Sequence, residues 1–97
     1  MTDAPLPVCT QDPIVDAGLG VRFEVRRMDG RIAGVAIWHP RPDGQGECNV
    51  YGWVSFKPDW DDGWDLVSES PLTISPSILC RGCGHHGYVR DGRWEPA

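Results

Sequence analysis

Cys80-Arg81-Gly82-Cys83-Gly84-His85-His86-Gly87 concentrates the residues of this chain that are able to do chemistry. A Cys-x2-Cys pair folded as a tight knuckle aims two sulfurs at one point, and the glycines beside Cys83 let the backbone turn and present its N–H groups to thiolates. That is half of a tetrahedral zinc site. The second half is expected from the loop that holds His39 and Cys48. The pattern His39-x8-Cys48-x31-Cys80-x2-Cys83-x2-His86 offers five candidate ligands for four places, so one of them is a bystander. Zn2+ is the expected cofactor. The competing readings are a reduced thiol pair, a redox pair or a local disulfide for Cys80 and Cys83, a small buried thiol for Cys48, and exposed or ligand-supporting histidines for His39 and His86. His85 should point opposite to His86, and Cys9 has no partner at motif spacing.

The elements that must position these groups read as β structure. Val21-Arg22-Phe23-Glu24-Val25-Arg26 alternates apolar and charged residues, Asp29-Gly30 is a two-residue hairpin turn, and residues 31–38 form the return strand. That loop sets Val25 opposite Gly34, Phe23 opposite Ala36 and Val21 opposite Trp38. Ala33, Val35 and Ile37 make the other face apolar too, which places the return strand centrally in its sheet. Two prolines and two glycines make a loop of residues 39–47. Strand-like residues return at 49–56, an exposed acidic turn follows at 57–62, and residues 64–68 form a further strand. Residues 72–79 carry the chain into Cys80, and a last hairpin turns at Asp91-Gly92 with Val89 facing Trp94. The expected architecture is a small all-β or β-rich domain, any α content minor, of zinc-ribbon-like antiparallel hairpins around one metal site. Residues 1–20 read as an irregular N-terminal arm or a cover strand, and 21–97 as the single metal-binding domain.

Composition narrows the role. A chain of 97 residues buries only about 60–65% of its unfolded surface, so a metal staple is a reasonable source of stability. Twelve glycines and nine prolines favour turns over helices. A net charge of −5 repels phosphate backbones and disfavours generic nucleic-acid binding. The N-terminus lacks the pattern of a signal peptide and no apolar run approaches a membrane span, so a cytoplasmic protein is expected, in which four cysteines point to metal chemistry. Trp38, Trp53 and Trp94 are assigned to the core. Trp60, Asp61, Asp62 and Trp64 mix aromatics and carboxylates on what should be surface and are the candidate partner-binding residues, against the simpler reading of a solvated acidic turn with its aromatics folded inward.

The run Trp64-Asp65-Leu66, then residues 71–80 (Pro-Leu-Thr-Ile-Ser-Pro-Ser-Ile-Leu-Cys), residues 83–89 (Cys-Gly-His-His-Gly-Tyr-Val) and Asp91-Gly92-Arg93-Trp94 resembles a group of small proteins of unknown function found mainly in bacteriophages and prophages. The resemblance covers roughly the C-terminal third. In that group the residue matching His86 recurs three places after the one matching Cys83, the position of His85 varies, and some members lack the residue matching Cys80. Size, acidity, the surface candidates at 59–65 and a stabilising metal make the expected function a zinc-stabilised interaction module that binds a host or phage protein, and the resemblance implies a phage-type origin and so the cytoplasm of the host cell, with monomer and dimer both open. A zinc-dependent hydrolase or deaminase is the alternative, with Glu47 as its only nearby base. A second alternative is a zinc ribbon that reads nucleic acid through Arg81, Arg90 and Arg93. A surplus of candidate ligands favours a closed structural site over an enzyme.

Overall fold

Two Asp-Gly dipeptides set the hairpins. Asp29 and Gly30 take φ of 52° and 80°, and Asp91 and Gly92 take 51° and 74°; this left-handed pair of a type I′ turn matches the twist of the strands it joins. The computed structural model describes residues 6, 8–48, 52–57, 59 and 61–97. Its strands are β1 (Cys9–Gln11), β2 (Val15–Gly18), β3 (Val21–Met28), β4 (Arg31–Trp38), β5 (Gly52–Ser55), β6 (Asp65–Glu69), β7 (Leu72–Ser75), β8 (Ile78–Leu79), β9 (His86–Arg90) and β10 (Arg93–Pro96). Helix is absent among the described residues, as expected of an all-β chain. One sheet runs β1-β3-β4-β5 with β2 also on β3, a second runs β10-β9-β8, and β6 pairs β7. All these strand pairs are antiparallel.

The β3–β4 hairpin departs from the expected register. Met28 faces Arg31 and Arg27 faces Ile32, as a two-residue loop requires, but the ladder then shifts so that Arg26 faces Gly34, Val25 faces Val35 and Phe23 faces Ile37. Ala33 is the extra residue of a β-bulge. Because side chains alternate between faces, this one residue exchanges which half of β4 meets the core. Val35 and Ile37, 0% and 2% exposed, join Val21, Phe23 and Val25 there. The unshifted pairing would have turned Gly34, Ala36 and Trp38 inward and left the two larger aliphatic side chains outside.

Of the two readings of the N-terminal segment, its described residues take the cover-strand one: β1 covers the Arg26–Met28 end of β3 and β2 the Val21–Phe23 end. Without them an eight-residue strand would present an open edge. Asp12 and Glu69 both bind the Arg27 guanidinium, tying this end to β6. From the other sheets Leu72, Ile74, Ile78, Val89 and Trp94 complete the core. Trp53, expected inside, is 45% exposed. It lies across Gly34 on the outer face, where a Cβ would stand 2.2 Å from its ring, so only glycine admits it.

Candidate metal centre and serine–histidine pair

β4 ends by handing the chain to His39, which is buried to 3% exposure at the start of the 39–48 loop. That loop closes on itself through Cys48 N–H to His39 O at 3.1 Å and Arg41 N–H to Gly46 O at 2.8 Å. Asp43 accepts from the Arg41 guanidinium and from the Gln45 amide, and Glu47 is ion-paired to Arg22 on β3. Opposite it, β8 and β9 are joined by the knuckle 80–85, in which Cys80 N–H bonds His85 O and Gly84 N–H bonds Cys80 O, both at 2.8 Å. Glycine is needed at 84, where φ is +82°.

The two loops bring His39, Cys48, Cys80 and Cys83 together, with one ligand atom from each lying within 4.8 Å of all the others. Cys48 Sγ stands 4.0 Å from Cys80 Sγ, and Cys83 Sγ 3.4 Å from His39 Nε2. A tetrahedral zinc with ordinary bond lengths would hold sulfurs roughly 3.8 Å apart, and sulfur and nitrogen roughly 3.6 Å apart. The donor set and its spacing therefore fit a metal ion. The Cys80 thiol is pushed up by burial, but backbone N–H groups of Cys83 and Gly82 and the neighbouring thiols outweigh this and bring it below its usual value. Burial, and then the adjacent Cys80, move Cys83 the other way. Burial lowers His39, which favours the neutral imidazole that a metal binds. His85 is sandwiched between His39 and Trp94, with ring centroids 4.8 and 4.9 Å away, so it packs the site from behind.

His86, the fifth candidate ligand, stands outside this group and does something else. Its Nε2 lies 2.8 Å from the Ser77 hydroxyl. Strand pairing explains the contact: Leu79 faces His86 across β8–β9, so Ser77, two residues before Leu79, shares that face. The Ser77 carbonyl accepts from Trp64 Nε1 at 3.2 Å. Trp64 is itself fixed by backbone bonds to Ser55 and Lys57 of 2.8 and 2.9 Å, a close approach that Gly63 permits because a Cβ there would lie 2.8 Å from the Phe56 backbone. Among the described residues no carboxylate bonds His86, so the arrangement is a dyad. Sequence reasoning missed Ser77, which lies in no nucleophile motif; the one available signal was its position three residues before the knuckle whose far side carries His86.

The remaining candidates are dispersed. Asp61 and Asp62 are exposed, Trp60 lies outside the described residues, and Trp64 turns inward against the core instead of facing solvent. Glu47, the nominated base of a zinc hydrolase, is held by Arg22. Arg90 is held by Glu95 and lies over the Tyr88 ring. Cys9 is exposed, and all four cysteines are free thiols. No helix among the described residues is long and apolar enough to cross a membrane.

A family model described as "Bacterial ubiquitination-like system serine protease (BubE)" matches residues 29–97, a stretch that includes all four clustered ligands, Ser77 and His86. No curated protein and no solved structure matches the chain. The family match overturns the expectation of a phage-type interaction module that binds a host or phage protein: the matched family is described by a protease activity, which requires a nucleophile and a base.

Proposed function

The chain belongs to that family of bacterial ubiquitination-like system serine proteases, and on that premise we propose that it is a hydrolase with Ser77 as nucleophile and His86 as general base. The observation that carries this reading is the 2.8 Å contact between His86 Nε2 and the Ser77 hydroxyl, the distance at which an imidazole can take a proton. The substrate is a protein of a ubiquitination-like system, and the bond broken is an acyl bond to nitrogen or oxygen. Ser77 Oγ attacks the carbonyl carbon while His86 Nε2 accepts its proton. The same nitrogen then returns that proton to the leaving amine or alcohol as the acyl bond breaks. Water, deprotonated in turn by His86, releases the acyl group and restores the hydroxyl.

The ion proposed for the cluster is Zn2+, a reading supported by a donor set of three thiols and one imidazole whose ligand atoms converge within 4.8 Å. Bound there it supplies rigidity to the knuckle. Ser77 lies three residues before Cys80 and His86 three after Cys83, so fixing the knuckle fixes the two strands that hold the dyad. Free thiols as metal ligands support a reducing compartment, the bacterial cytoplasm, as the site of action. The test is labelling with a fluorophosphonate, which reacts with activated serines, followed by mass spectrometry of the labelled peptide. Label on Ser77, lost in Ser77→Ala and reduced about 10²-fold or more in His86→Ala, with one zinc per chain retained in both, is the expected result. Undiminished labelling in both variants would refute the dyad.

A further inference from the structure

In the second sheet β8 is the outer strand, paired on one side to β9 and on the other to nothing among the described residues. The Cys80 N–H to His85 O bond makes 80 and 85 a hydrogen-bonded pair. In an antiparallel ladder such pairs alternate, so Ile78 bonds Gly87 while Leu79 turns its N–H and C=O away from β9. Ala97 N–H to His86 O at 3.2 Å agrees with this, because it shows that the His86 backbone points to the β10 side. The Ser77 carbonyl, which also points outward, is taken by Trp64. The Leu79 N–H and C=O have no partner among the described residues, and its side chain is 53% exposed.

Beside this edge lies a cavity of about 150 Å³ between β8 and β5. Its apolar wall includes Ile37, Trp64, Ile78, Leu79 and Trp94, and β5 contributes Gly52. An apolar cavity of that volume takes a benzene-sized group. Two of its features tie it to the dyad. Trp64 both lines it and holds the Ser77 carbonyl, and Leu79 both lines it and shares the face of Ser77 and His86. Of its polar neighbours, His39 and Cys80 belong to the metal cluster and His85 to the ring stack, which leaves the exposed Arg81 to set the charge.

We propose that the substrate lies as an extended strand along the open edge of β8, hydrogen-bonded to the Leu79 N–H and C=O, with an apolar side chain next to the scissile bond seated in the cavity between β8 and β5. This rests on the dyad reading for its chemistry and on the edge and the cavity for its geometry. Added-strand recognition takes affinity from the main chain and specificity from pockets for alternate side chains. The cavity accepts a leucine- or phenylalanine-sized group, gives little to alanine, and rejects lysine, which Arg81 would also repel.

The experiment uses the zinc-loaded full chain and peptides Ac-Ala-Val-X-Gly-Val-Ala-amide and Ac-Ala-Val-Gly-X-Val-Ala-amide, with X as Leu, Phe, Ala, Asp or Lys. Binding is read on Ser77→Ala protein by NMR, from the Leu79 amide shift and its hydrogen exchange, so the result does not depend on catalysis. The expected result is slowed exchange and a shift at Leu79 with Leu or Phe in one of the two series, and at least about tenfold weaker binding with Ala. In Gly52→Val, whose added side chain would enter the cavity beside Ile37, that preference should fall to about threefold or less. Hydrolysis by the wild type, followed in parallel, separates the two readings. Ser77-dependent cleavage with no dependence on X and no response at Leu79 overturns the docking mode and keeps the dyad. A Leu79 response that follows X, without Ser77-dependent cleavage, keeps the docking mode and overturns the dyad. Silence in both overturns both.

Discussion

Gly87→Ala should destabilise the protein although it adds a single methyl group. Gly87 sits on β9 between Ile78 of β8 and Pro96 of β10, next in sequence to His86. A Cβ placed there would stand 2.5 Å from the Glu95 carbonyl oxygen and 2.5 and 2.6 Å from two atoms of the Trp94 ring. The carbonyl cannot rotate away, and Trp94 is wedged against His85. Either β9 and β10 separate or the ring leaves its place in the core. Overpacking of this kind costs about 2–3 kcal/mol at the upper end of its range. The lower entropy of an unfolded alanine returns about 0.5–1 kcal/mol, leaving a net loss of roughly 1–2.5 kcal/mol. For a domain of this size that is a drop in Tm of roughly 4–20 °C. Gly52→Ala is the control, since its nearest contacts would be ordinary ones of 3.7 and 3.8 Å to Ile37, and its cost should stay within about 0.5 kcal/mol. Thermal melting of the zinc-loaded proteins by circular dichroism measures both. If Gly87→Ala melts within about 4 °C of the wild type, as the control should, the packing of Trp94 over Gly87 does not hold β9 in place.

Cys83→Ser should reduce bound zinc from one equivalent to none by elemental mass spectrometry and unfold the chain at room temperature, since metal energies on the order of 10 kcal/mol match the whole stability of such a domain; a folded variant that keeps its zinc would contradict the assignment. Removing the Arg22–Glu47 pair, which is 43% and 56% exposed, should cost no more than about 1 kcal/mol and nothing measurable at high salt, and a larger loss in urea melts would mean that the pair anchors the 39–48 loop. His85 is pushed below its usual value by burial and then by the charge of His39. Below the unfolded-state value of 6.5 the unfolded chain binds more protons, so this part of the stability is full above that pH and is lost as pH falls through the lower folded value. His85→Phe, which keeps a ring between His39 and Trp94, should therefore lose less Tm than the wild type between about pH 7 and 5; parallel curves would show that His85 does not carry the acid sensitivity.

Local chemistry made part of this molecule legible. Both Asp-Gly turns and the pairing of Val89 with Trp94 follow from residues a few places apart, and the thiols of the knuckle announce themselves by spacing. The register of β3 and β4 did not follow, because the Ala33 bulge answers to the core as a whole: only the packed sheet reveals that Val35 and Ile37, and not Gly34 and Ala36, take the face that meets Val21, Phe23 and Val25. Trp53 was misjudged for a related reason, since its seat is the absence of a side chain at Gly34. The dyad was hidden more deeply. A serine and a histidine carry no signature until β8 and β9 pair and set them on one face, and Ser77 lies in no motif that marks a nucleophile. With His86 read as a fifth ligand, a binding role was set ahead of the zinc-hydrolase alternative, and Ser77 was not considered as its partner.

The spacing of these contacts along the chain sets an order of assembly. Ser77 and His86 are nine residues apart, whereas Cys48 and Cys80 are separated by 32 and His39 and Cys83 by 44. Closing the longest of these loops costs about 1.4 kcal/mol more chain entropy than closing the shortest, and short-range contacts form faster than long-range ones. The reactive pair belongs to the part of the fold that forms first, while its anchor waits for the distant loop to arrive. An ion held by these four ligands would then complete the assembly only after the Ser77–His86 hairpin has closed.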